Sequence, residues 1–202
     1  IPSKTECQNL LHAAGCTPQI IAHSITVCEL SMLIADSINK KNPNLVSIPH
    51  TQAGALLHDI GRSTSHSIDH ACVGAAICRE HQIDEKICTI VLHHIGAGII
   101  ASEAKELGLP PIDYMPTSLE EKIVAHADNL VMEMRIIPIQ KRIQVAKKKG
   151  ISQIAIRRMI DLHHEINELC MIPIEELQIK KILSKKQIKK ALQDETLDST
   201  EE

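Results

Sequence analysis

Ser47 to Gly61 reads SIPHTQAGALLHDIG, and this stretch decides the fold. Ala53, Leu56, Leu57 and Ile60 fall at the i, i+3, i+4, i+7 spacing of one buried helix face. Gly61 then stands where a left-handed C′ residue would end the helix. A core helix thus carries His58 and Asp59 in its last turn. A charged aspartate there is costly unless a cation or a set of donors compensates it.

Two other segments set charge against burial in the same way. In PQIIAHSITVCELSMLIADSI (residues 18–38), Ile20, His23, Val27, Leu30 and Ile34 share one stripe, so the His23 imidazole points inward among aliphatic neighbours. In SLEEKIVAHADNLV (118–131), Ser118 and Glu121 form a capping box, and Asp128 follows on the apolar stripe with Val124 and Val131. Taken singly, His23 also reads as a core histidine satisfied by a backbone carbonyl. One shared metal accounts for all three segments at once. Two further histidines face inward by the same criterion. His70 opens a segment with Val73, Gly74 and Ile77 on its face, and Gly74 lets a neighbouring helix approach closely. His94 shares a stripe with Ile87, Ile90 and Val91, whereas His93 lies nearer Lys86 and Thr89.

The periodicity predicts an all-α chain. Helices are expected over 6–14 and 18–39, then a loop at 40–49, the helix bearing the pair, and a polar turn at 62–69. Helices at about 70–81 and 84–95 form an antiparallel pair. A glycine-bearing connection follows from Gly96 to Pro116, with a short helix at 102–107 ended by Gly108. Such a segment beside a polar cluster suits a lid or substrate wall, with Tyr114 in it or packed beneath it. Helices at 138–150 and 152–170 complete one domain, residues 1–170 with a core of about 8–135. Residues 171–193 read as an amphipathic helical extension, suited to packing on the domain, to a homodimer or to an anionic partner, and 194–202 as an acidic disordered tail.

His23, the His58–Asp59 pair and Asp128, in that order and on helices, resemble the H…HD…D signature of the HD-domain metal-dependent phosphohydrolases. LLHDIGR (56–62) resembles the HDIG subgroup; HACVGA (70–75), HHIGAG (93–98), EAKELGLPP (103–111) and LEEKIVAHADNL (119–130) together resemble an archaeal HDIG family. The resemblance spans roughly residues 8–135. It implies a core of five or more helices and metal-dependent attack of water on phosphorus. His70 with Gly74, and His94 with Gly96 and Gly98, resemble the second-metal pattern of dinuclear members such as bacterial dinucleoside-polyphosphate hydrolases. The resemblance then implies that Asp59 bridges two ions, that His23, His58 and Asp128 complete the first, and that His70 and His94 hold the second.

Imidazole and carboxylate without thiolate favour iron, manganese, nickel, cobalt or zinc, as one or two divalent ions. Arg62 occupies the place where many HDIG proteins have a lysine that contacts the scissile phosphate; it also reads as a solvated helix-end cation. His66, one turn before His70, is a candidate phosphate donor or proton donor, or a loop histidine without a duty. Lys122 and Glu121 are expected in structural ion pairs, His126 in local packing, and His163 and His164 on a solvated helix face. His12, His50 and His81 have no evident partners. The expected activity is hydrolysis of a phosphomonoester or phosphodiester, of a nucleotide by family resemblance, with Asp59, Arg62 and His66 as catalytic residues. The alternatives are a non-catalytic nucleotide-sensing module and a di-iron oxygenase on the same scaffold.

Composition sets outer bounds. A net charge of −3 over 202 residues gives no electrostatic reason for a nucleic-acid partner. No long uncharged apolar span and no basic-then-apolar leader are evident, so a membrane partner is not expected and a cytoplasmic location is. The seven cysteines show no metal-type spacing and are expected as small buried hydrophobes. The chain has no Phe, no Trp and one Tyr, so aliphatic side chains must fill the core, and base stacking on an aromatic ring is confined to Tyr114 or a histidine.

Overall fold

The computed structural model describes residues 1–177, and these form a helical bundle. The helices are α1 (Lys4–Ala13), α2 (Pro18–Lys41), α3 (Ile48–Leu57), α4 (His70–Glu80), α5 (Glu85–His93), α6 (Ala101–Glu106), α7 (Leu119–Asn129), α8 (Ile139–Lys148) and α9 (Gln153–Leu169). Their ends follow from the sequence. Ser3 and Glu6 cap α1 reciprocally, and Thr17 accepts from the Ile20 N–H while Pro18 sits in the first turn of α2. Ser118 caps α7 through the Glu121 N–H. Gly108, at φ +76, follows α6 and ends it.

Helix α2 is the axis of the molecule, packed against α3 and α7. Leu30, Ile34, Ala35 and Ile38 are fully buried along it. By length and composition α2 is apolar enough to cross a membrane, although it carries Glu29; 56% of that window is buried inside the bundle, and it serves here as the core helix. The core is aliphatic, with Leu56, Leu57, Ile60, Ile87 and Ile123 all at 0% exposure. Of the seven cysteines, all but Cys72 are buried, and burial pushes the Cys7 thiol up to about 12.

Two features depart from the sequence reading. Helix α3 stops at Leu57, His58 caps it in right-handed geometry, and a 3-10 turn (Ile60–Ser63) continues the chain. Gly61 is therefore not a left-handed C′ residue. It is glycine for lack of room: a Cβ there would lie 1.9 Å from the His70 carbonyl oxygen and 2.5 Å from the Gly74 nitrogen. The turn bearing Asp59 and the start of α4 are thus pressed together at Gly61 and Gly74. Second, a two-stranded hairpin, β1 (Val131–Met132) with β2 (Arg135–Ile136), follows α7, and its turn residue Glu133 has φ +58. Ile174 and Leu177 join the main core, so the start of the C-terminal extension packs on the domain, one of the roles expected of it; the rest of that extension and the acidic tail lie outside the described residues.

Candidate metal centre

Helices α2, α3, α5 and α7 and the start of α4 deliver four histidines and two aspartates to one point. The six residues are His23, His58, Asp59, His70, His94 and Asp128, and their ligand atoms form three overlapping groups, each within 4.8 Å. Each imidazole is held the same way. Nδ1–H donates to a backbone carbonyl: His23 to Glu133 (2.9 Å), His58 to Ala55 (2.8 Å), His70 to Ser67 (2.7 Å) and His94 to Val91 (2.7 Å). That fixes the tautomer and turns four Nε2 lone pairs inward.

The carboxylate of Asp59 lies between two pairs of these nitrogens. Its Oδ1 faces His70 Nε2 at 3.2 Å and His94 Nε2 at 3.5 Å. Its Oδ2 faces His58 Nε2 at 3.7 Å and His23 Nε2 at 3.9 Å. Asp128 Oδ1 closes the second side, 2.9 Å from His23 and 3.6 Å from His58. Burial opposes ionisation of Asp59, yet the His58, His70 and His94 imidazoles hold its carboxyl far below the usual carboxylate range. Asp128 is depressed likewise against its burial, by His23 and His58. Burial alone would lower the His58 pKa, but the two carboxylates outweigh it and raise it to about 9. The site demands positive charge, which a proton or a cation can meet.

The donor set fits a metal. His58 Nε2 is wholly buried and has no hydrogen-bond partner among the described residues. His70 Nε2 and His94 Nε2 stand 3.1 Å apart, each with its Nδ1–H already committed, so two lone pairs confront each other. A divalent ion relieves both conflicts, and imidazole with carboxylate suits a borderline ion.

Above the cluster lies a cleft of about 290 Å³ that exposes Arg62, His66, His70, His94, Asp128 and Arg142. Arg62 donates its Nε–H to Asp59 Oδ1 at 2.7 Å, so it is tied to the aspartate three residues before it while its side chain stays one-third exposed. His66 is exposed at the cleft mouth. The adjacent His93 is diverted elsewhere: its Nδ1 pairs with Glu121 Oε2 at 2.7 Å. Glu121 and Lys122 do form ion pairs, with His93 and Glu165 respectively. His50 finds Ser47 Oγ at 2.7 Å. His163 corrects the expectation of a solvated face. It is buried, its Nδ1 lies 3.2 Å from His126 Nε2, and its Nε2 lies 3.2 Å from Glu175. Sequence periodicity missed it because the α9 face it occupies is covered by α7. It also missed Arg142, whose place in the cleft depends on the path taken after the hairpin.

The HD domain profile matches residues 20–133, from the α2 histidine through the α7 aspartate. The chain belongs to the HD-domain family. It is 46% identical over 155 residues to an uncharacterised protein of Methanocaldococcus jannaschii, covering 76% of this chain and 91% of that one. It is 41% identical over 177 residues to the tRNA (cytidine(56)-2'-O)-methyltransferase of Picrophilus torridus, covering 88% of this chain but only half of that protein. Among solved structures, the HD domain of the L. monocytogenes phosphodiesterase PgpH, crystallised with cyclic-di-AMP, superposes with TM-score 0.48 at 18% identity, covering 77% of this chain and 92% of that one.

Proposed function

We propose that this HD-domain protein is a metal-dependent phosphohydrolase that cleaves a phosphomonoester or phosphodiester, with a nucleotide as the substrate class. The observation that carries the reading is the geometry of Asp59, whose two oxygens face two different histidine pairs. His23, His58, Asp59 and Asp128 would hold one ion, and Asp59, His70 and His94 a second. Such a pair lowers the pKa of bound water and neutralises charge on a phosphate ester. The chain's own groups do the rest. Arg62 keeps Asp59 oriented through Nε and leaves its terminal guanidinium nitrogens for phosphate oxygens. His66, at the mouth and free to rotate, can give a proton to the leaving oxygen. The α6 connection and α9 wall the approach on one side. Arg62 is the one arginine or lysine paired with Asp59 among the described residues.

The reading is tested by purifying the protein, measuring its metals, and assaying nucleotides, cyclic nucleotides and dinucleoside polyphosphates with manganese, iron or cobalt. Release of phosphate or of a nucleoside monophosphate is the expected result. Bound metal with no turnover across that panel would replace hydrolysis with nucleotide sensing.

A further inference from the structure

Arg142 is on α8, half-buried, and lines the cleft together with Arg62 and Asp128. Its hydrogen-bond partner among the described residues is neutral: Nε–H donates to Asn129 Oδ1 at 3.2 Å, and Asn129, itself 1% exposed, donates its Nδ2–H to the Gly96 carbonyl at 2.6 Å. Arg62, Arg79, Arg157 and Arg158 each rest on a carboxylate; among the described residues Arg142 and the exposed Arg135 make no ion pair, and of these two only Arg142 lines the cleft. A guanidinium aimed by an amide and left without a counter-charge is arranged for an anion.

Beside the cleft runs a groove of about 320 Å³, joined to it through Ile68, Ile95 and Gly96. Ile99 and Leu107 line one side; Ile151, Ala155 and Met159 line the other. Leu107 and Ile151 are 49% and 41% exposed, an apolar lip facing water. The polar side chains in the lining are Glu103, Glu106, Ser152 and Arg158; Arg158 bridges to Glu103, and its Nε is buried without a hydrogen-bond partner among the described residues. A groove of this size, mostly apolar with a spare donor at Arg158, suits a flat heterocycle.

We infer that Arg142 binds a substrate phosphate and that the adjoining groove seats the ring-bearing organic group of the same ester. The inference rests on the phosphohydrolase reading. It makes α8 and α9, which lie beyond the matched residues 20–133, the recognition part of the molecule. Continuity with the cleft argues for a ligand rather than a second copy of the chain.

Manganese-loaded protein is titrated calorimetrically with inorganic phosphate and with an adenosine phosphonate whose P–C bond resists hydrolysis. Wild type binds the phosphonate more tightly than phosphate. Arg142→Ala weakens both by about tenfold or more, and Arg142→Lys restores part of the loss. Ala155→Phe, which fills the groove from its rim, weakens the phosphonate by about tenfold and phosphate by less than about twofold. Leu107→Asp at the exposed lip repeats this pattern without added volume. Metal content stays at the wild-type value in all four variants. Unchanged phosphate affinity in Arg142→Ala, or equal phosphate and phosphonate affinity in wild type, overturns the inference. So does a wild-type dimer that Ala155→Phe converts to monomer with nucleotide affinity intact. Tight, variant-sensitive binding without turnover of any ester upholds it and removes only the hydrolase reading.

Discussion

Helix α7 borders two histidine-rich neighbourhoods of opposite character. On the Asp128 side, four imidazoles surround two carboxylates, every Nδ1–H is anchored to a carbonyl, and His58 is raised to about 9. On the His126 side, His126 meets His163 with no carboxylate against it, and burial drives its pKa down to about 3. Burial is similar on the two sides, yet only one sets two carboxylates among its imidazoles; on the other, Glu175 touches His163 alone. The carboxylates make the difference, because a buried imidazole next to another imidazole is stable only when neutral.

The strongest way to break this contrast is Asp59→Ala. It should strip the protein of all bound metal and lower turnover by about a thousandfold or more, whereas His163→Ala should leave metal stoichiometry unchanged. Elemental analysis of the two variants decides it; metal retained in Asp59→Ala removes the proposed bridge. His70→Ala and His94→Ala come next, each expected to halve metal content while His23→Ala affects the other ion. Full stoichiometry and activity in both would reduce the centre to one ion.

The His126 side is sharpened by pH. Its folded pKa lies below the unfolded value near 6.5, so the unfolded chain binds the extra proton between the two. The stability it contributes is complete above about pH 6.5 and is lost as pH falls toward 3. His126→Leu should therefore flatten the denaturation profile between pH 7 and pH 4 by roughly 3 kcal/mol relative to wild type. Parallel profiles in urea unfolding would contradict a neutral His126. The smallest effect is expected at Glu121, whose carboxyl is lowered to about 2, against its burial, by His93, the Thr117 N–H and Ser118. Its contribution is present above about pH 4.5 and lost as pH falls below that. Glu121→Gln should destabilise the fold by about 1–2 kcal/mol at neutral pH with metal content intact.

Much of this was visible in the sequence. The stripe rule separated His94 from His93, since only His94 shares the Ile87, Ile90 and Val91 face, and it turned His23 inward for the same reason. Those are periodicities within one helix. What stayed hidden depends on elements meeting each other. The Glu133 carbonyl that anchors His23 comes from a hairpin turn 110 residues away, and no helical period announces it. Gly61 looked like a helix stop and is a contact surface instead, because its constraint comes from the start of α4 rather than from its own φ. His163 looked solvated since its partner, His126, sits on another helix.

Tyr114 gives this architecture an optical consequence. It is the sole tyrosine in a chain without tryptophan, buried at 4%, paired through its backbone with Ile99, with its hydroxyl donating to the Pro110 carbonyl and accepting from the Cys72 thiol. The Gly96–Pro116 connection that borders the groove therefore carries its own isolated chromophore. Near-ultraviolet absorbance and intrinsic emission of the protein come from that single ring, so a spectrometer pointed at the whole molecule watches one loop.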